Sequence, residues 1–230
     1  MAGQDLAGLG KSRQGIHWYD GSNHHTGMPV KGEERQNMAK IAKVYLKSLT
    51  PYSQGKHVTV EKLPKELANA YEERTWRERM HTTKDGNVFI PPMAFSNAIK
   101  EAAKYLSLPI PGKGKSLFTK HFEAGILVVD PLILDIKKDE VEGEWVFVPS
   151  DGRRGGTTRV EKCFPFIPEW EGEITVHVLD DIITEDVFKH VLQAAGSLIG
   201  VGRFRPRNWG YYGRFEIKRI EWLEVDYGTL

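Results

Sequence analysis

Hydrophobic positions alternate with polar ones in four stretches of the chain, and a period of two is typical of half-buried β-strands. The alternation is clearest in residues 170–179, where Ile174, Val176 and Val178 would share one face of a strand. The other three predicted strands cover residues 40–49, 124–136 and 211–225.

Two other stretches have the three- and four-residue spacing of amphipathic helices. The first begins at Pro91, where proline suits the first helical turn, and stops before Pro109. The second begins after Thr184, whose side chain is predicted to cap it, and its apolar stripe extends to Ile199. A short, strongly charged helix is also predicted within residues 65–80.

The resulting order is β-α-β-β-α-β, with insertions at residues 52–90 and 137–168. This order favours an α+β fold of the ferredoxin-like (RRM-like) class, in which two helices cover one face of a four-stranded antiparallel sheet. A Rossmann fold would need further βα repeats and a glycine-rich turn directly after the first strand. The second insertion is predicted to be a β-hairpin with a basic tip. Residues 1–37 have no period and are predicted to form a partly ordered N-terminal arm before one domain at 38–230.

Charge and cysteine content narrow the function classes. Cys163 is the single cysteine, which excludes an internal disulfide and a multi-cysteine zinc site. No apolar run approaches the roughly 20 residues that span a bilayer, so we expect a cytoplasmic protein without a membrane partner. The net charge is only +1, but basic residues concentrate in 152–162 and 200–219, and acidic ones in 130–144 and 169–186. Separated charges of this kind permit local phosphate-binding surfaces.

Residues 200–215 are the most informative stretch, because these sixteen positions hold four glycines, four arginines and five aromatic residues. Glycine lets the backbone approach a ligand closely, arginine offers a planar fork to phosphates, and exposed aromatic rings stack on bases. Tight glycine turns with solvated arginines have a similar composition, so both interpretations stay open for each residue. The candidate nucleic-acid-binding residues here are Arg203, Arg205, Arg207, Trp209, Tyr211 and Arg214.

Two further basic stretches add candidates for phosphate contacts. The predicted hairpin tip and the loop after the first long helix supply Arg153, Arg154, Arg159, Lys113 and Lys115. The hairpin tip has an equally ordinary interpretation as a solvated surface loop. The lysine loop is not a P-loop, because Pro109 occupies the position of the required glycine and a helix, rather than a strand, precedes it.

No catalytic constellation is recognisable. The histidines are scattered, no serine occupies a G-x-S-x-G elbow, and the pair His24-His25 has no further metal ligand at a suitable spacing. Asp180 and Asp181 precede the second long helix, where carboxylates ordinarily interact with the helix dipole. We therefore expect no catalytic residues, no metal and no cofactor.

Three features together resemble the RAMP superfamily, and more narrowly the backbone subunits of CRISPR effector complexes. They are the helix-entry stretch Pro-Pro-Met-Ala-Phe-Ser-Asn-Ala-Ile-Lys at 91–100, the hairpin insertion at 141–166 and the Gly-rich loop at 200–214. In that superfamily a Gly-rich loop lies between the second helix and the last strand, and a hairpin "thumb" lies between the middle strands. The resemblance covers roughly residues 40–226. It implies side-by-side assembly along a single strand, with the thumb reaching over a neighbour.

Two departures bear on the implied activity. Asn97-Ala98 stands where the superfamily usually has Lys-Gly, and no histidine ends the first strand, where RNA-processing members carry one. The resemblance thus implies a non-catalytic subunit that binds single-stranded RNA, or DNA, and forms a homo-oligomer or multi-subunit complex. The alternatives are a phage single-stranded DNA-binding, recombination or counter-defence protein, an RNase of the same superfamily and a protein-interaction module. Asp85 is the only aspartate in the loop where an RNase of this superfamily would place one.

Overall fold

A computed structural model of the protein describes residues 38–150, 152 and 156–226. The predicted N-terminal arm at 1–37 and two candidate residues, Arg153 and Arg154, lie outside the described residues. In chain order the described elements are β1 (Met38–Ser48), α1 (Ala68–Thr75), β2 (Asn87–Ile90), α2 (Pro92–Leu106), α3 (Thr119–Gly125), β3 (Ile126–Val128), β4 (Leu132–Lys137), β5 (Glu142–Pro149), β6 (Arg159–Phe166), β7 (Glu171–Val178), α4 (Glu185–Ala194) and β8 (Phe215–Asp226).

Four strands form an antiparallel sheet in the order β3-β7-β1-β8. Within it, Val44 of β1 pairs with Ile174 of β7 on one side and with Ile220 of β8 on the other. Side chains on alternate positions of a strand share a face, and Ala42, Val44 and Leu46 are accordingly all fully buried. The predicted strands at 40–49 and 170–179 are thus neighbours in one sheet.

The two long helices pack on this sheet through aromatic side chains. The ring centroid of Phe95 in α2 lies 5.9 Å from that of Phe215, and the ring of Phe188 in α4 lies 5.7 Å from that of Trp222. The predicted cap is confirmed, because the Thr184 hydroxyl accepts a hydrogen bond from the backbone N–H of Val187. A mixed α/β architecture with antiparallel sheets is therefore confirmed. In the part of the chain that the structure describes, no helix is both long and apolar enough to cross a membrane.

The remaining strands form two smaller, two-stranded sheets. Strands β2 and β4 pair with each other, and β5 and β6 form the predicted hairpin, in which Trp145 lies opposite Cys163. The charged helix predicted within residues 65–80 is observed as α1, followed by a 3-10 turn at Trp76–Arg79.

The predicted second strand at 124–136 is wrong in its extent. Residues Thr119–Gly125 are helical rather than extended, and β3 has only three residues. The chain then leaves the central sheet at Pro131, which has no N–H to donate to a strand neighbour. The apolar alternation continues beyond it, but it belongs to β4, which pairs with β2 in another sheet.

The last strand also begins later than predicted. Its first residue is Phe215 rather than Tyr211, because Gly213 adopts a left-handed conformation that interrupts an extended chain. Residues 211–214 therefore belong to the Gly-rich loop, the segment at 200–214.

Candidate nucleic-acid interface

The Gly-rich loop is fastened by main-chain hydrogen bonds to the segment that follows β1. The N–H of Arg203 donates to the carbonyl oxygen of Ser53 at 2.7 Å, and the N–H of Gly213 donates to that of Pro51 at 2.7 Å. Buried main-chain pairing at both ends of a loop restricts its motion. The loop therefore presents its side chains from a fixed frame.

The hydrogen bond from Gly213 requires a glycine, because a residue with a side chain does not fit at this position. Its φ is +78°, and a Cβ would overlap the carbonyl oxygen of Val201. We expect Gly213→Ala to lower the free energy of unfolding by about 3 kcal/mol or more, since left-handed strain and overpacking each cost ~1–3 kcal/mol. The measurement is thermal or urea unfolding.

The matched control for this substitution is Gly112→Ala. Gly112 also has a positive φ of +74°, but no atom lies within 4 Å of the position of its Cβ. Equal losses of stability in the two variants would show that the overlap with Val201 is unimportant.

The side chains of two candidate arginines, Arg203 and Arg214, contact other parts of the protein. The guanidinium carbon of Arg203 lies 3.8 Å from the ring centroid of Phe164 and 4.8 Å from that of Phe204. Burial, helped by the charge of nearby Arg79, lowers the pKa of Arg203. Arg214 donates to the carbonyl oxygens of Ser197 and Tyr211 at 3.1 and 3.3 Å. Both side chains therefore stabilise the Gly-rich loop.

The other two arginines meet Glu101 of α2. Arg205 donates to Oε1 of Glu101 at 2.9 Å, and Nε of Arg207 lies 3.8 Å from Oε2. The side chain of Arg207 is 58% exposed, against 18% for Arg205. Of these two, Arg207 is therefore the one with a surface left for a phosphate.

Trp209 and Tyr211 project from the loop into solvent. Their exposed fractions are 83% and 60%. Trp209 follows the 3-10 turn Pro206–Asn208 and has a φ of +63°. A left-handed conformation costs a bulky residue free energy, and a largely exposed ring recovers little of it by burial. Most of the Trp209 surface is therefore accessible for stacking on a base.

The hairpin contacts the Gly-rich loop through a second set of rings. Phe164 lies 5.5 Å from Phe204, and Phe166 lies 6.1 Å from Tyr212, measured between centroids. The Tyr212 hydroxyl donates to Glu144 of β5 at 2.6 Å, and burial together with this carboxylate raises the pKa of Tyr212 to about 12. Tyr212 therefore joins the two elements as a neutral donor.

A shallow groove runs between the hairpin and the Gly-rich loop, and Phe147 and Tyr211 both line it. Phe147 is 66% exposed. We call Phe147, Trp209 and Tyr211 the aromatic surface. Phe147 is not among the candidate residues that the sequence predicts. The run Trp145-Val146-Phe147-Val148 nevertheless gives a signal, because a two-stranded hairpin cannot bury both faces of such an apolar run.

The other predicted residues are dispersed. Arg159 lies at the start of β6 and donates to the carbonyl oxygen of Phe147 at 3.3 Å, so it borders the aromatic surface. Lys113 and Lys115 are exposed in the loop after α2. Lys115 lines a separate groove beside His121, and neither lysine lines the groove of the aromatic surface.

A buried ion cluster holds the hairpin against α1. Glu72 is 1% exposed and accepts hydrogen bonds from Arg79 at 2.7 Å, Lys162 at 2.9 Å and the N–H of Cys163 at 3.0 Å. Burial alone would raise the pKa of Glu72, but the hydrogen bonds from Lys162 and Arg79 outweigh it and hold the pKa below its usual value. The position of β6, and with it Phe164, depends on this carboxylate.

His121 and Asp180 form a side-chain pair that the sequence does not predict. Nδ1 of His121 and Oδ2 of Asp180 lie 2.6 Å apart, and Oδ1 of Asp180 accepts from the N–H of Ile182. Burial by itself would raise the pKa of Asp180, but the bond with His121 lowers it. Among the described residues, no group of three His, Cys, Asp or Glu side chains is placed to hold a metal ion.

The chain is similar to solved structures of known proteins. No protein family and no curated protein matches the chain. A chain of the Type III-B Cmr-β complex bound to cognate target RNA is 14% identical with a TM-score of 0.45. The match covers 81% of this chain and 61% of that one, so this chain spans less than two thirds of its length. Cmr6 from Pyrococcus furiosus is 14% identical with a TM-score of 0.42, over 78% of this chain and 98% of that one.

Identities and TM-scores this low transfer no residue role and no ligand to the chain. Both structural neighbours are Cmr proteins by name.

Proposed function

We propose that this chain is a non-catalytic RNA-binding subunit that holds a single strand on the aromatic surface and assembles with further subunits. The observation that carries the proposal is the outward placement of Trp209 and Tyr211 on a loop that is otherwise tightly fastened. Rings fixed in this way stack on bases with little loss of conformational freedom on binding.

The strand must be single, because the base faces of a duplex are already stacked on each other. Two cations come from the same elements as the aromatic surface: Arg207 lies two positions before Trp209 in the Gly-rich loop, and Arg159 on the hairpin donates to the carbonyl oxygen of Phe147. Two cations close to stacking rings suit a phosphate backbone that runs past splayed bases. The near-neutral total charge of +1 favours such local contacts over a broad basic face.

The sheet supports a finer assignment of the fold. The order β3-β7-β1-β8, with α2 after β1 and α4 after β7, is that expected of a ferredoxin-like core whose second strand is shortened to β3. In this assignment the β5–β6 hairpin corresponds to the thumb that the RAMP resemblance implies.

A direct binding measurement tests the proposed function. We expect the purified protein to bind a fluorescently labelled single-stranded RNA, measured by anisotropy, and to bind the same sequence as a duplex at least about tenfold more weakly, because its base faces are hidden. Light scattering with and without RNA follows assembly. Absence of binding to any single strand at low salt would refute the proposal, and a stronger signal with DNA would favour the phage single-stranded DNA-binding alternative.

The His121–Asp180 pair favours an RNase as the second candidate function. A histidine whose Nδ1 is held by a carboxylate has its Nε2 available as a general base, and His121 borders a groove that Lys104, Lys115 and Lys120 also line. Cleavage of labelled RNA in the presence of a chelator, lost in His121→Gln, would establish this activity. Intact RNA after binding supports the non-catalytic subunit.

A further inference from the structure

A cleft lies at the N-terminal end of α2, on the side of the Gly-rich loop where Arg203 is found. Its volume is about 290 Å³, and its lining includes the polar side chains of Gln54, Lys56, His81 and Arg203. Gln54 and Lys56 belong to the segment after β1, and Pro91 and Ala94 bring the start of α2 to the edge of the cleft. We call this site the α2 cleft.

Gln54 is the unusual residue of the α2 cleft. It is 3% exposed, and among the described residues neither its amide nitrogen nor its amide oxygen has a hydrogen-bond partner. Nε of Arg203, which lines the same cleft, and the hydroxyl of Ser53, the residue before Gln54, are also without partners among the described residues. Buried polar groups in native proteins are nearly always paired, because leaving them unpaired costs free energy. Several unpaired atoms in one cleft indicate a ligand that pairs them.

The charges of the α2 cleft select an anion. Lys56 and Arg203 line it, no carboxylate is among the described residues that line it, and the N-terminal end of α2 adds a partial positive charge. The guanidinium of Arg203 lies against Gly55, where a Cβ would be only 3.3 Å from Nη1. Burial and the charge of Lys56 lower the pKa of His81, so this ring acts as a neutral wall. A phosphate is the anion that a single-stranded nucleic acid supplies.

A phosphate alone does not account for Gln54. Phosphate oxygens accept hydrogen bonds, so they pair the amide NH₂ and leave the amide oxygen without a donor. The complementary group must both donate and accept, and it must lie next to a phosphate. In RNA the ribose 2′-hydroxyl has these properties, and DNA lacks it.

We propose that the α2 cleft binds one ribonucleotide of a single-stranded RNA, with its phosphate at Lys56 and Arg203 and its ribose 2′-hydroxyl at the Gln54 amide. This inference rests on the proposed function, and it adds the means by which the chain distinguishes RNA from DNA. Arg203 belongs to both the Gly-rich loop and the α2 cleft, so the loop that carries Trp209 and Tyr211 also lines this site.

The test compares three labelled single strands of one sequence, namely RNA, DNA and 2′-O-methyl RNA, by anisotropy. We expect the wild-type protein to bind RNA about tenfold more tightly than DNA, as the loss of one or two hydrogen bonds implies. We expect 2′-O-methyl RNA to bind as weakly as DNA, since its 2′ oxygen cannot donate.

Two variants then separate the ribose from the phosphate. Gln54→Leu should reduce RNA affinity to the level of DNA and leave DNA affinity unchanged, while its melting temperature should not fall, because an apolar side chain of similar size removes the unpaired atoms. Lys56→Ala is the matched control. It should weaken RNA and DNA binding equally and reduce the slope of the salt dependence by about one.

Each outcome bears on one proposal. Equal wild-type affinity for RNA and 2′-O-methyl RNA, or a folded Gln54→Leu variant that keeps the wild-type preference or loses RNA and DNA alike, overturns the ribose assignment. The comparison of the three strands on the wild-type protein tests the ribose assignment even if Gln54→Leu does not fold. Failure of the wild type to bind any single strand refutes the proposed function instead.

Discussion

Replacing Glu72 by Gln is expected to lower the free energy of unfolding by about 3 kcal/mol, because breaking a buried ion pair leaves its partner charges uncompensated. The variant keeps the size of the side chain and removes the charge that Arg79 and Lys162 share. Those two cations are 15% and 34% exposed, so water recovers part of their solvation and the loss falls at the lower end of the range for buried pairs. Urea unfolding measures the difference.

Glu78→Gln is the matched control, because it removes a carboxylate that also pairs with a lysine. Glu78 lies 2.6 Å from Lys138, but its side chain is 44% exposed. Exposed pairs contribute little, so this variant should unfold close to the wild type. Equal destabilisation by the two substitutions would show that the Glu72 cluster gains nothing from its burial.

The stability difference between the wild type and Glu72→Gln should depend on pH, and the pKa of Glu72 gives the sign of this dependence. The pKa of Glu72 in the folded protein lies below its ordinary value of 4.5. A group with a lowered folded pKa stabilises the fold above the unfolded pKa, and this contribution is lost as the pH falls through the folded pKa. The stability difference between wild type and Glu72→Gln should therefore be constant near neutrality and shrink as the pH falls below 4.5.

The elements that the sequence predicts well are those whose pattern arises from local geometry. Alternation around Val176 marks a strand because its side chains contact the same buried face along its whole length. Thr184 predicts the start of α4 because a cap depends on residues three positions apart. At Pro131 the pattern fails, because the alternation of two strands in different sheets looks like one strand when only the order of residues is known.

The chemistry of the Gly-rich loop is predicted less well, because composition does not show which residues meet in the folded chain. Arginine at position 205 is an equally good phosphate fork by sequence, but Glu101, more than a hundred positions earlier, pairs with it. Arg203 likewise stacks on Phe164 of the hairpin, a long-range contact that composition does not predict. Gln54 gives no sequence signal at all, because an unpaired buried amide is recognised only from its surroundings. Because most of the arginines in the loop contact other parts of the protein, the exposed aromatic residues are its stronger candidates for binding RNA.

Removing both rings of the Gly-rich loop is expected to have the largest effect on binding. Each stacked base contributes roughly 1–3 kcal/mol, so the double variant Trp209→Ala/Tyr211→Ala should bind single-stranded RNA about a hundredfold more weakly or worse. Its melting temperature should stay close to that of the wild type, because the rings are 83% and 60% exposed and bury little apolar area. Anisotropy and thermal unfolding on the same preparation measure both quantities.

Two further substitutions locate the effect. Tyr105→Ala removes a ring of α2 that is 66% exposed and lies outside the aromatic surface, so it should change neither quantity. Tyr212→Ala removes a ring that packs on Phe166 and Phe204, so it should lower the melting temperature as well as the affinity. If Tyr105→Ala weakens binding as much as the double variant, stacking is not confined to the Gly-rich loop. Wild-type affinity in the folded double variant would exclude Trp209 and Tyr211 from the interface.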